Sequence, residues 1–251
     1  MVDYSETSQV VTLLTRNHGL VPALAKGVRK LAVRSASAFG GPLDLLAEGD
    51  VVFLPPRSGE LATLTAWGVL NHQAAMRRDL AAFYAGQISC EFTIALLSPH
   101  DPHPELFDQI TAAVGRFHTA QRGLALVAYL KCALAAAGYQ ARLEACCVCG
   151  QAVRPGARVR FIPAMGAVAC DNCPIHSPTI PVQSAVILAL HRLVPPAQLP
   201  HRPPDKPADA AALLLAANLL VSQCQATTDR RLRTAGLLEL FFRPREMRAD
   251  I

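Results

Sequence analysis

Residues 146–173 read CCVCGQAVRPGARVRFIPAMGAVACDNC. Cys146 and Cys149 form one C-x2-C pair, Cys170 and Cys173 form a second, and twenty residues separate the two. Zinc prefers four soft donors in a tetrahedron, and each C-x2-C turn places two thiolates on one knuckle. Gly150, directly after the first pair, lets the backbone turn back and aim amides at sulfur. Between the pairs, Arg158–Ile162 and Ala167–Ala169 are predicted strands and Pro163–Gly166 the turn joining them. This is the layout of a zinc ribbon, expected over residues 142–178. One zinc with four thiolates leaves about −2 of charge, which Arg142, Arg154, Arg158 and Arg160 are placed to offset. Cys147 is an alternative donor, one residue short of the knuckle spacing to Cys149, and His176 is a further donor that four cysteines leave without a vacancy. A catalytic zinc keeps an open position beside an acid. Asp171 is the only close candidate, so the reading is one structural Zn2+ per chain.

Outward from this module, the other cysteines are isolated. The chain has eight in all, and Cys90, Cys132 and Cys224 fall on predicted helices as small core residues. The N-terminus MVDYSETSQV has no basic segment with an apolar core behind it, so no signal peptide is expected and the compartment is read as a reducing cytoplasm. The 251 residues are 51% hydrophobic and 17% charged, against a charged share of about 25% in ordinary domains. A disordered chain is excluded, because there is ample apolar surface to offset ordering entropy. Two stretches, Leu80–Ser98 and Ala210–Val221, are apolar but interrupted or short against the ~20 residues a membrane span needs. Both read as buried helices of a soluble protein, with no membrane partner.

The fold class expected is α+β. Ser8–Thr15, a turn at Asn17–Gly19, Leu20–Ala25, Ala47–Phe53 and Glu60–Leu70 read as short strands with Pro55–Gly59 breaking the chain, the pattern of a small barrel over residues 1–72. From residue 73 to 251 the pattern is helical. Ala74–Leu97 is a predicted helix with Met76, Leu80, Phe83, Tyr84 and Ile88 as its buried stripe. A second runs from Glu105 to Ala137, broken near Gly115 or Gly123 and ended by Gly138. Val182–Leu193 is a third, with Pro181 in its first turn. A proline-rich loop covers 195–207, and Asp209 caps a last helix to about Gln225. The tail Arg230–Arg248 reads as basic and irregular.

Net charge is +5, from 24 Lys and Arg against 19 Asp and Glu. The local pattern says more: Arg16, Lys26, Arg29, Lys30 and Arg34 form a run with no acid between them. Small barrels bind single strands through a basic groove with stacking aromatics, so these five residues are the candidate DNA contacts; a solvated loop is the other reading. Phe39, Phe53 and Trp67 are the nearby aromatics, on pattern core residues. Enzyme signatures are absent: no phosphate-binding Gly loop and no nucleophile elbow occurs. His100, Asp101 and His103 are the one catalytic-looking group, and they flank Pro102 and Pro104 where a helix start explains them. The chain is therefore read as a non-enzyme.

DYSETSQVVTLLTRNHGLVPALAKGVRK, FGGPLDLLAEGDVVF, HPELF, CCVCG with CDNC, and RRLRTAGLLELF together resemble the RecO family of bacterial DNA repair proteins, in order along nearly the whole chain. The resemblance implies an N-terminal OB-fold β-barrel followed by an all-α domain with an inserted zinc ribbon. It implies a recombination mediator of the RecF pathway, nucleoid-associated, that binds single- and double-stranded DNA and anneals complementary strands. The implied partners are RecR, the C-terminal tail of single-strand-binding protein and, indirectly, RecA. Lys26, Arg29, Lys30 and Arg34 inherit the DNA contacts and the four ribbon cysteines the metal. Two departures stand out. Met1 almost directly precedes Asp3 where the family usually has about ten more residues, so either the chain start is misassigned or the first barrel strand is missing, and Ala38 stands where the family tends to be basic. A zinc-ribbon interaction module without a DNA role is the alternative reading.

Overall fold

In the computed structural model, the structure describes residues 2–3, 8–26, 43–56, 61–202 and 208–242. Two compact units result. One comprises residues 1–78 with 97–107, the other 79–96 with 108–251, so the chain crosses between them three times.

The first unit is built on a five-stranded sheet in the order β1-β2-β3-β5-β4. Its strands are β1 Val2–Asp3, β2 Gln9–Thr15, β3 Gly19–Ala25, β4 Glu48–Leu54 and β5 Ala62–Asn71. All pairs are antiparallel except β3 with β5. One parallel pair inside an otherwise up-and-down order is what an open five-stranded Greek-key barrel requires. The position expected to be vacant holds a strand of only two residues, Val2 opposite Val10 and Asp3 opposite Gln9. Period-two alternation turns Val21, Ala23 and Ala25 of β3 inward, where they meet Val11, Ala62, Leu64 and Trp67. Three alanines among these let the strands close on a narrow core. Register shifts between Glu48 and Gly49 and between Val52 and Phe53 bend the β4–β5 ribbon, as bulges do.

The second unit holds the helices α1 Leu80–Leu96, α2 Pro104–Val114, α3 Arg122–Ala136, α4 Ser184–Arg192, α5 Ala210–Thr228 and α6 Leu237–Phe242, α2 beginning in the first unit and passing into it. The break expected near Gly115 or Gly123 falls between α2 and α3. Helix α1 starts later than predicted. Asp79 Oδ1 accepts from the amides of Ala81 (2.9 Å) and Ala82 (3.2 Å) and caps it there, after a 3-10 turn at Met76–Arg78. Its buried face also differs from the predicted stripe. Met76 and Ile88 are buried, but Leu80 is 58% exposed and Phe83 36%, while Ala81, Ala82, Ala85, Ser89, Phe92 and Thr93 turn inward. Small side chains let helices approach closely, so the alanine face wins over the larger residues. Its buried hydroxyls are satisfied within the helix: Ser89 Oγ donates to Ala85 O (2.8 Å) and Thr93 Oγ1 to Ser89 O (2.7 Å).

Asp209 caps α5 as expected, Oδ1 accepting from Ala211 N at 3.0 Å. The helix runs to Thr228, making nineteen residues long and apolar enough, by length and composition, to cross a membrane. Within the unit, Leu214, Ala217, Leu219, Leu220 and Cys224 of this helix are buried. Of the tail read as irregular, residues 233–242 instead form a 3-10 turn at Arg233–Gly236 and then α6, because Leu238 and Phe241 give it a buried face; residues 243–248 lie outside the described residues.

Candidate metal centre and nucleic-acid interface

The ribbon is a four-stranded sheet in the order β6-β8-β7-β9, with β6 Arg142–Cys146, β7 Arg158–Ile162, β8 Ala167–Cys170 and β9 Ile180–Gln183. The predicted central hairpin is β7–β8. Strand β9 corrects the expectation that Pro181 opens a helix. Proline lacks an N–H for a ladder on both sides but is tolerated at a sheet edge, and β9 is an edge strand that leads straight into α4.

The sheet sets the two knuckles face to face. The Sγ atoms of Cys146, Cys149, Cys170 and Cys173 all lie within 4.8 Å of one another. Cys146 and Cys173 are 3.7 Å apart, Cys149 and Cys170 3.8 Å. A tetrahedron with metal–sulfur bonds of ~2.3 Å has sulfur–sulfur edges of about 3.8 Å, the separation these two cross-knuckle pairs already have. The amides of Val148 (3.4 Å) and Cys170 (3.3 Å) donate to Cys146 Sγ. Burial alone would raise the Cys146 thiol. The amides of Cys149, Cys170 and Val148 outweigh it and bring that thiol down to about 6. Hydrogen bonding to Cys149 and Cys146, with burial and thiolate repulsion, pushes Cys173 up to about 12, the response of a set of thiols too close for all to ionise without a cation among them. These four cysteines could hold a metal ion.

Cys147 lies outside this group: its amide donates to Val168 O at 2.8 Å and the residue is exposed. His176 is likewise exposed and no member of it. Of the four arginines expected to offset thiolate charge, Arg160 reaches the second knuckle, donating to Cys170 O (3.0 Å) and to Cys173 O. Arg142, Arg154 and Arg158 are exposed. The ribbon is also fixed to its unit. Its 3-10 turn, Pro163–Met165, ends at Gly166, which packs on Gln223 of α5, and Gln223 Nε2 donates to Tyr139 O at 2.7 Å.

Of the five candidate DNA contacts, Arg16 and Lys26 are described and both are exposed; Arg29, Lys30 and Arg34 lie outside the described residues, as does Phe39. Arg16 sits in the β2–β3 turn and Lys26 directly follows β3. Seven residues of strand therefore separate the two cations, about 20 Å along the hairpin. Trp67 is buried and Phe53 half-buried against the barrel core, as core residues. The ring of His18, exposed in the same turn as Arg16, meets Phe53 edge to face at 5.4 Å. Sequence spacing gave no signal for this pair, since 35 positions separate them. His103 Nε2 lies 3.2 Å from Asp101 Oδ2, and His103 O accepts from Phe107 N at 3.0 Å, so these residues begin α2 as expected.

Two family models match the chain, "Recombination protein O N terminal" over residues 1–72 and "Recombination protein O C terminal" over residues 77–199. The chain is 38% identical over 197 residues to a DNA repair protein RecO of Anaeromyxobacter dehalogenans strain 2CP-C, covering 76% of this chain and 74% of that one. It is 34% identical over 215 residues to that of Myxococcus xanthus, covering 85% of each, and 32% identical over 194 residues to that of Streptomyces griseus, covering 73% of this chain and 74% of the relative. An open Greek-key barrel, a helical unit carrying a four-cysteine ribbon, and these matches along both parts place the chain in the RecO family of DNA repair proteins.

Proposed function

We propose that this chain is a recombination mediator of the RecF pathway. It binds single- and double-stranded DNA, anneals complementary strands and, with RecR, helps load RecA. The C-terminal tail of single-strand-binding protein recruits it. It is not an enzyme: DNA strands are brought together without a bond being made or broken. It works in the cytoplasm at the nucleoid. The observation that carries this reading is the β2–β3 hairpin, which presents the exposed cations Arg16 and Lys26 at its two ends on an OB-like barrel. A backbone of regularly spaced phosphates is the ligand that rewards such spacing. Arg29, Lys30 and Arg34 extend the basic run beyond Lys26.

In this reading the ribbon holds one structural zinc ion. Four clustered sulfurs from two C-x2-C knuckles fit zinc, and a complete thiolate set leaves no coordination position for substrate. The metal supplies a rigid cross-link between the two knuckles; the chain's own part is to orient the sulfurs through amides and Arg160.

The test is equilibrium binding of a labelled oligonucleotide across a salt series. Each neutralised phosphate contributes about −0.7 to the slope of log affinity against log salt for a single strand, so contacts from Arg16, Lys26 and the basic run give a slope steeper than −2. Flat salt dependence, or no binding at low salt, favours the ribbon as a protein-interaction module instead.

A further inference from the structure

The turn joining β2 to β3 carries three exposed residues in succession, Arg16, Asn17 and His18. It is pinned from within. His18 N donates to Thr15 Oγ1 (3.1 Å), and that hydroxyl donates to Gly19 O (2.9 Å). The imidazole is held from the side by Phe53, ring planes at 89° and centroids 5.4 Å apart. Phe53 borders the barrel core, so it cannot swing away, and two residues past it Pro55 opens the β4–β5 connection.

Residues 97–103, part of the same unit, close the other side. Pro99 bridges to Leu20, and His100 N donates to Leu20 O at 2.9 Å. The backbone of Asp101 lies so near Gly19 that a Cβ there would come within 2.1 Å of its oxygen. The backbone of residues 99–101 is thereby held against the start of β3, just past the turn. This mouth of the barrel thus carries a guanidinium and an imidazole braced by an aromatic ring. A turn that only joined two strands would need no imidazole braced by a core aromatic.

We propose that this mouth adds a base contact to the phosphate contacts of the hairpin, a base of single-stranded nucleic acid stacking on His18 beside the phosphate held by Arg16. The proposal rests on the DNA-binding reading above and extends it. The strand runs along the hairpin from the Lys26 end to this mouth, about 20 Å away. Imidazole planes accept stacked bases as other aromatic side chains do, and an exposed ring held edge-on by its neighbour is already ordered for the purpose.

The experiment compares a labelled oligothymidylate with an abasic strand of equal length, by fluorescence anisotropy, on wild type, His18→Ala, His18→Phe and Arg16→Ala. Loss of one stacking platform weakens binding about 5- to 150-fold. His18→Ala should lose that on oligothymidylate and nothing on the abasic strand, with the salt slope unchanged, and His18→Phe should recover it. Arg16→Ala should weaken both strands and flatten the slope by about 0.7. His18→Ala should lower the melting temperature only slightly, by loss of the exposed contact with Phe53, and His18→Phe should keep it. If wild type binds and His18→Ala matches it on both strands, or loses equally on both, the proposal is overturned while DNA binding stands. If wild type binds neither strand, the DNA-binding reading itself falls, and this proposal with it.

Discussion

Gly166→Ala tests whether the ribbon is an integral part of the helical unit. Gly166 ends the β7–β8 connection at φ +55°, a left-handed conformation that costs a residue with a Cβ about 1–2 kcal/mol. The added methyl would also lie 2.3 Å from Gln223 Nε2 and 2.9 Å from its Cδ. Gln223 is 2% exposed, so it can yield only by leaving Tyr139 O, its 2.7 Å acceptor. A buried polar group left unsatisfied costs about 1–3 kcal/mol. The total is about 2–5 kcal/mol. Gly138→Ala is the control: its φ is +84° but nothing lies within 4 Å of the new methyl, so only the ~1–2 kcal/mol of backbone strain applies. Urea denaturation of both variants gives the comparison from shifts in midpoint at constant slope. Adding Gln223→Ala removes the obstructing amide, so the double variant should cost at least ~1 kcal/mol less than the two singles summed. A Gly166→Ala variant no less stable than Gly138→Ala, or strict additivity in the double variant, would refute the docking of the ribbon turn on α5.

Two further predictions concern the helical unit. Glu91 on α1 receives the C-terminal segment: its Oε1 accepts from Arg233 N (2.9 Å), and its Oε2 accepts from Thr234 N (2.7 Å) and Thr234 Oγ1 (2.6 Å). Burial alone would raise its carboxyl, but these hydrogen bonds from Thr234 and Arg233 outweigh it and hold it below its ordinary 4.5. A depressed carboxyl stabilises the fold above its unfolded value and loses that contribution as pH falls through the folded one. Glu91→Gln should therefore destabilise by about 1 kcal/mol at pH 7, and the gap to wild type should narrow in melts taken below pH 4.5; a pH-independent gap would contradict the carboxylate's role. Thr93→Val removes the buried partner of the fully buried Tyr129 hydroxyl at nearly constant volume, with an expected cost of about 1–3 kcal/mol. Pairing it with Tyr129→Phe should recover most of that loss, and no recovery would mean the pair is not coupled.

Much of this architecture was legible in the residues because local chemistry set it. The β2–β3 hairpin follows from the β-branched run Ser8–Thr15 and the turn residues Asn17–Gly19, the Asp209 cap from its place before an apolar run, and the metal centre from two knuckles of the same spacing. What escaped was decided by tertiary packing. Periodicity assigns the inner face of α1 to its largest residues, but close helix approach selects Ala81, Ala82 and Ala85 and leaves Leu80 outside. Pro181 at a helix start and Pro181 on an edge strand look alike in sequence; the ladder to β7 decides, with Arg160 opposite Pro181. Val2–Asp3 is a strand only because Val10 and Gln9 offer an edge. The His18–Phe53 contact exists only once the sheet has assembled and brought the β2–β3 turn to β4.

The most direct test of DNA binding by the barrel, with the ribbon as architecture, is a paired measurement on the same preparations: oligonucleotide affinity and bound zinc per chain, for wild type and for Lys26, Arg29 and Lys30 changed together to alanine. The account predicts one zinc in both proteins, the same thermal stability, and markedly weaker, less salt-sensitive binding in the variant. Unchanged affinity, or an affinity lost only together with zinc or stability, would contradict it.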